Sequence, residues 1–190
     1  MQIEPLGLEG PLLITPVRHG DERGFFSEVY RSDLMAAHGI AAVFVQDNHA
    51  ASAQRGVVRG LHYQVPPNAQ GKLVRCARGA VLDVVVDIRR GSPTFGRHVA
   101  TELSARNWRQ MWVPPGFAHG YVTLTAETEV LYKVTSYYDP AAERGIAWDD
   151  PALAIDWRLP AAEVILSAKD RNNPRLADAD VAFTYGLGPR

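Results

Sequence analysis

A chain of 190 residues, 46% hydrophobic and 22% charged, has the length and apolar content for a globular domain with a real core. Its 20 Lys and Arg residues against 21 Asp and Glu leave a formal net charge of -1, so no bulk field favours duplex nucleic acid or an anionic membrane, and an anionic ligand has to be held by a local arginine cluster. The one cysteine, Cys76, excludes an intramolecular disulfide and fits a reducing, cytoplasmic setting, with Cys76 itself read as a small buried residue on a strand.

The opening stretch MQIEPLGLEGPLLITP mixes acids, prolines and glycines where a signal peptide has a basic start and an unbroken apolar run, so no export is expected. No apolar stretch approaches the length that spans a bilayer. Short strand-like runs then recur between turn signals: GPLLITPV, GFFSEVYR, AVFVQDNHA, GVVRGLHYQV, KLVRCARG, AVLDVVVDIRR, HVATELS, RQMWVPPG, GYVTLTA and EVLYKVTSYYD. Their number, with Gly and Pro as punctuation, predicts an all-β sandwich or barrel. One helix is expected over SDLMAAHGI, residues 32 to 40, capped by Ser32 and ended by Gly39, and a second short helical turn in SARNWRQ after Ser104. No repeat, low-complexity tract or linker intervenes, so residues 1–190 read as one domain. After Asp170 the strand rhythm is lost, and residues 171–190 are expected to wrap the surface or lie partly loose.

Within AVLDVVVDIRR, Asp83 and Asp87 are four apart and so share one face of a strand. Two acids facing a wet barrel mouth is one reading. An edge strand with a solvated face is the other, and the usual exposure of acidic residues favours it.

Of six histidines, His19, His38, His49 and His98 sit in loop-like or polar contexts that suit surface or structural roles. His62 follows RGL on a strand, and His119 closes WVPPGFAHG, where Pro114, Gly116 and His119 form the Pro-x-Gly-x-x-His turn with which a cupin barrel delivers an imidazole inward. A metal-binding cupin carries His-x-His and then Glu. Here His62 is followed by Tyr63, Gln64 and then Lys72, whose ammonium repels a divalent cation, so no metal is expected. The set suits acid and base chemistry instead: His62 as base, Lys72 beside a developing oxyanion, where one well-placed donor is worth roughly 3 to 4 kcal/mol, and the Tyr132 phenol as acid. Each alone has an ordinary structural reading, as a core histidine bonded to backbone, a solvated lysine or an amphipathic tyrosine at a rim.

The motifs DERGFFSEVYR, FVQDNH, RGVVRGLHYQ, QGKLVRCARGAVLDVVVDIRRGSPTFG, WVPPGFAHGYVTL, LYKVTSYYDPAAERGIAWDDPALAIDW and LSAKD, in this order, resemble the dTDP-4-dehydrorhamnose 3,5-epimerase family (the RmlC type) over roughly residues 11 to 171. The resemblance implies an all-β cupin jelly-roll barrel with a few short helices, no metal or other cofactor, and a homodimer with shared active sites. It implies that the substrate is dTDP-4-keto-6-deoxy-glucose, inverted at C3 and C5. Related enzymes of antibiotic-sugar pathways invert only one of these carbons. By position, His62 resembles the base, Asp170 the carboxylate that orients and charges its ring, Lys72 the enolate stabiliser and Tyr132 the acid on the opposite face. His119 lies near the sugar, Arg59 and Arg23 meet the diphosphate, Gln46, Asn48 and Glu28 supply polar contacts, and Tyr138 stacks on thymine with help from Phe26. Glu143 and Lys169 complete the implied substrate contacts. Arg23, Phe26 and Glu28 are expected from the partner subunit.

Overall fold

The β-rich runs become thirteen strands in the computed structural model, which describes residues 1–186. They are β1 (Gln2–Pro5), β2 (Leu12–Thr15), β3 (His19–Asp21), β4 (Gly24–Phe26), β5 (Gln46–Ser52), β6 (Val58–Gln64), β7 (Lys72–Arg78), β8 (Ala80–Asp87), β9 (His98–Ser104), β10 (Gln110–Val113), β11 (Phe117–Thr123), β12 (Thr128–Val134) and β13 (Glu143–Gly145). Two short α-helices, α1 (Ser32–Ala37) and α2 (Ala168–Arg171), and two 3-10 turns at Ala161–Glu163 and Leu176–Asp178 accompany them.

The expected closed barrel is not what forms. The strands make an open six-stranded sheet in the order β1-β2-β10-β7-β12-β5, an open five-stranded sheet in the order β13-β6-β11-β8-β9, and the separate β3-β4 hairpin. All the pairings between these strands are antiparallel. Consecutive strands β5 and β6 fall in different sheets, so the ladder that would close a barrel there is absent; a side-chain bond from Arg59 to the Ala51 carbonyl spans the gap. Alternating hydrophobicity tells which face of a strand is buried but serves a barrel wall and a sandwich layer equally.

Three layers of apolar contact result. Between the sheets, Leu13, Val74, Met111, Val113 and Val130 of the six-stranded sheet meet Val81, Val85, Leu103, Phe117 and Tyr121 of the five-stranded one. The outer face of the six-stranded sheet is closed by α1, with Met35 and Ile40 against Ile14, Leu73 and Trp112. On the outer face of the five-stranded sheet, Leu82, Val84 and Val86 are covered by the C-terminal segment, including Trp157, Leu176, Ala179 and Val181. Strand β8 is therefore buried on both faces, which explains its near-continuous apolar run. Each such Val or Leu contributes about 1.5–3 kcal/mol by leaving water.

Several expectations change in detail. Helix α1 starts at Ser32 but its N-cap is Arg31, with no side-chain cap bond, while Gly39 (φ 85°) follows its end as expected. The SARNWRQ segment forms a turn rather than a helix, held by reciprocal Ser104–Asn107 bonds of 3.0 and 3.1 Å. Residues 171–186 are not loose: Leu176, Ala179 and Val181 are core, and the Tyr63 hydroxyl donates to the Asp180 carbonyl at 3.0 Å. Residues 187–190 of the expected tail lie outside the described residues. Cys76 is buried, as read from the sequence. Among the described residues no helix is long and apolar enough to cross a membrane.

Candidate active site

The site begins at a close approach of β6 and β11. Gly60 (φ 135°) faces Gly120, and a Cβ on Gly60 would stand 2.5 Å from the Gly120 Cα, so only glycine permits this spacing. The same pairing sets His62 directly opposite His119. His62 Nε2 lies 2.5 Å from Asp170 Oδ1 on α2. Ser167, the N-cap of α2, accepts the Asp170 backbone N–H at 3.1 Å and donates its hydroxyl to Asp170 Oδ2 at 2.7 Å. Burial alone would raise the Asp170 carboxyl, but the hydrogen bond and charge of His62, with Ser167, hold it below the usual carboxylate range. The imidazole is thus oriented by an ionised carboxylate that is itself fixed by a cap.

The opposing sheet supplies the other two reactive groups. Lys72 opens β7, is buried, and donates from Nζ to the His62 carbonyl at 3.3 Å. Burial pushes its ammonium down to about 8, against the pull of Glu143 and Asp83. Tyr132 projects from β12; burial raises its phenol, so it keeps its proton through neutrality and is available as a donor. His62, Lys72, Tyr132, His119 and Asp170 all line one cavity of about 540 Å³, a volume suited to a small ligand. Arg59 and Lys169 also border it.

An adjoining hollow of about 240 Å³ shares His62, Lys72 and Tyr132 and adds Gln46, Asn48, Tyr138 and Glu143. Here Gln46 Nε2 donates to Asn48 Oδ1 at 2.8 Å, and Gln46 Oε1 accepts the Tyr138 backbone N–H at 3.1 Å. Gln64, in the slot a metal-binding relative would give to a histidine, is committed elsewhere. Its amide bonds the Tyr137 carbonyl and the Asp139 N–H, at 3.1 and 2.9 Å, and so pins the backbone on both sides of Tyr138. Glu143 accepts the Tyr138 hydroxyl at 2.7 Å and pairs with Lys169. Among the described residues no three of His, Cys, Asp or Glu gather as a metal-ligand set.

Three implied contacts stand apart. Arg23 is paired with Asp21 and its side chain is 84% exposed, Phe26 is 71% exposed, and Glu28 sits near Arg31. None of them lines the cavity that holds His62.

The sequence reading missed Asp83, Tyr121 and Ser167. Asp83 was expected on a solvated edge, yet β8 is an interior strand between β11 and β9, and Asp83 is fully buried with Oδ2 accepting from His119 Nε2 at 2.9 Å. Asp87, equally buried, is held by Arg89, Ser92 and Thr94 at 2.6–3.0 Å. An acid embedded in a run that is apolar at every other position is the signal that pointed this way. For Ser167 the signal was the Ser-x-x-Asp spacing of a helix start. Among the other histidines, His49 is an outward-facing partner of Glu129 at 3.0 Å.

An imidazole and a phenol on opposing walls of one cavity, with a lysine beside them, are a set able to remove a proton from one face of a ligand and return one to the other, the chemistry of an isomerase. Comparison with known proteins makes the class specific. The sequence model of the dTDP-4-dehydrorhamnose 3,5-epimerase family matches residues 5–178, and the chain belongs to that family. The dTDP-4-dehydrorhamnose 3,5-epimerase of Pseudomonas aeruginosa is 53% identical over 95% of this chain and 98% of its own. The crystal structure of dTDP-6-deoxy-D-glucose-3,5-epimerase from Legionella pneumophila in complex with dTDP-4-keto-L-rhamnose superposes with a TM-score of 0.93 at 46% identity, covering 98% of this chain and 99% of that one. A dTDP-4-dehydrorhamnose 3-epimerase of Streptomyces niveus is 42% identical over 94% of this chain and 86% of its own.

Proposed function

We propose that this chain inverts C3 and C5 of dTDP-4-keto-6-deoxy-glucose, giving dTDP-4-keto-L-rhamnose, with protein side chains alone. The observation that carries this reading is the placement of His62 and Tyr132 on opposing sheets across one cavity that Lys72 also lines. The C4 ketone of the sugar acidifies the hydrogens on C3 and C5. His62 takes such a proton, Asp170 stabilises the imidazolium that forms, and the electron pair moves onto the C4 oxygen as an enolate beside the Lys72 ammonium. Tyr132 then delivers a proton to the opposite face of the carbon, which inverts it. A proton leaves and a proton returns, so the step needs no oxidant or reductant. One group on one face would exchange the proton without inversion, which is why a base and an acid on different sheets matter.

His119 borders the sugar, and Glu143 and Lys169 form a charged pair at its rim. Toward the nucleotide, Arg59 meets the diphosphate, Gln46 and Asn48 give polar contacts, and Tyr138 stacks on thymine. Arg23, Phe26 and Glu28 serve the partner's site in a homodimer, a reading supported by their exposure and their absence from the lining of the chain's own cavity. The whole chain acts as one domain, and its place of action is the cytoplasm, in keeping with its lone buried thiol.

Proton NMR of the substrate with chelator-treated enzyme in deuterium oxide tests this, with the product trapped by a downstream reductase. Deuterium at C3 and C5 and a rhamnose-configured product are expected. Similarity to the 3-epimerase of Streptomyces niveus gives a second reading, inversion at one carbon, and deuterium at C3 alone would establish it.

A further inference from the structure

Behind the cavity wall, bonded to His119, lies a carboxylate that the chemistry above leaves without a role. Asp83 projects from β8 into the space between the sheets and is fully buried. Its Oδ2 accepts from His119, but Oδ1 has no hydrogen-bond partner among the described residues, nor does the buried hydroxyl of Tyr121, directly opposite it in the β8–β11 ladder. A buried carboxylate is costly as an anion unless cations compensate it. Two groups able to carry positive charge stand nearby. His119 touches it. Lys72 crosses from the other sheet until its Nζ meets the carbonyl of His62, the register neighbour of His119.

The charged or titratable groups around Lys72 are Glu143 from β13, Lys169 and Asp170 from α2, Tyr132 from β12, His62 and Arg59 from β6, His119 and Tyr121 from β11, and Asp83 from β8. Of these carboxylates, Asp170 is engaged at both oxygens by His62 and Ser167, and Glu143 is shared by Lys169 and Tyr138. Asp83 keeps an oxygen free of any bond.

We infer that Asp83 is a positioning residue, the sealed counter-charge that keeps Lys72 an ammonium and fixes His119 with its proton on Nε2. The inference rests on Lys72 as the partner of the enolate oxygen. Burial pushes the Lys72 ammonium down to about 8, and Asp83 is one of the two carboxylates that resist the shift. Removing that charge brings the lysine toward neutrality, where the site would lose its oxyanion partner at working pH.

The sequence makes the test direct, because the chain has three lysines, Lys72, Lys133 and Lys169. NMR titration of isotope-labelled lysine resolves them, with Lys72→Arg assigning the signal. In Asp83→Asn the Lys72 midpoint should fall by about one pH unit or more, and the alkaline limb of kcat/KM should move with it. An unchanged Lys72 midpoint, with activity lowered evenly at every pH, would mark Asp83 as purely structural and overturn the inference. Should that variant not fold, Glu143→Gln probes the same charge without touching it. Lys72 still protonated at neutral pH there leaves Asp83 as the anion that holds it, whereas a neutral Lys72 overturns the inference. The titration needs no turnover, so failure of the epimerase reading and failure of the Asp83 role are read separately.

Discussion

His62 and Asp170 are 108 residues apart in the chain, yet Nε2 of one lies 2.5 Å from Oδ1 of the other. This contact joins a strand of the five-stranded sheet to a four-residue helix near the end of the chain. It holds the imidazole of the proposed base against a carboxylate that is kept ionised. His62→Ala should therefore abolish deuterium exchange at both carbons, with kcat down by about 100- to 10,000-fold, the usual range for a positioned base. Exchange at the normal rate in that variant would remove His62 from the mechanism. Asp170→Asn keeps the ring but disturbs its orientation and charge, so its loss should be the smaller of the two. A deeper defect than His62→Ala would break the dyad assignment.

Tyr132 stands on the other sheet with its phenol raised by burial, so it remains protonated while His62 works. Tyr132→Phe should leave exchange largely intact and stop inversion, since the proton can return only from the side it left. Comparing deuterium incorporation with product configuration separates the two events; an inverted product from this variant would assign the acid elsewhere.

The pH profile follows from Lys72. Its ammonium, depressed to about 8 chiefly by burial, is present below that value and lost as the pH rises through it. kcat/KM, which reports the free enzyme, should fall on the alkaline side with a midpoint near 8. Lys72→Met should lower kcat by about 100- to 1,000-fold and erase that limb. A limb that persists unchanged in Lys72→Met belongs to another group.

Arg23 and Phe26 lie on the exposed β4 hairpin or its turn, away from the cavity of their own chain. If they complete a neighbour's site, Arg23→Ala and His62→Ala proteins, each impaired alone, should regain activity when refolded together, because one site of the mixed dimer then holds both native residues. Absence of any recovery in verified mixed dimers argues that each site is made from a single chain.

The C-terminal segment contributes to stability as well as to the dyad. Leu176 is packed with Ala179 and Val181 against the five-stranded sheet, so Leu176→Ala should cost about 2–4 kcal/mol in urea unfolding. A cost below about 0.5 kcal/mol, typical of surface changes, would show the segment to be dispensable.

Much of this protein was legible in the chain itself. The number of short strand-like runs between Gly and Pro signals gave an all-β chain, and the motifs around His62, Lys72, Tyr132 and His119 marked residues that the fold brings to one cavity. The reading failed where the deciding contact was remote or shared by two outcomes. Ser32 looked like a cap, but Arg31 took the position. β3 and β13, three residues each, carry too little pattern to announce themselves.

Sequence by itself determined which faces are apolar, which side chains can exchange protons and, through its motifs, the family. Only the tertiary structure decided that two open sheets form instead of a closed barrel, that the surface tail anchors Leu176, Ala179 and Val181 in the core, and that Asp83 is sealed within the molecule and not bathed on an edge. The physical reason is that alternation fixes the orientation of a side chain relative to its own strand. Which strand lies alongside, and what covers it, is set by hydrogen-bond ladders and packing between segments far apart in the chain.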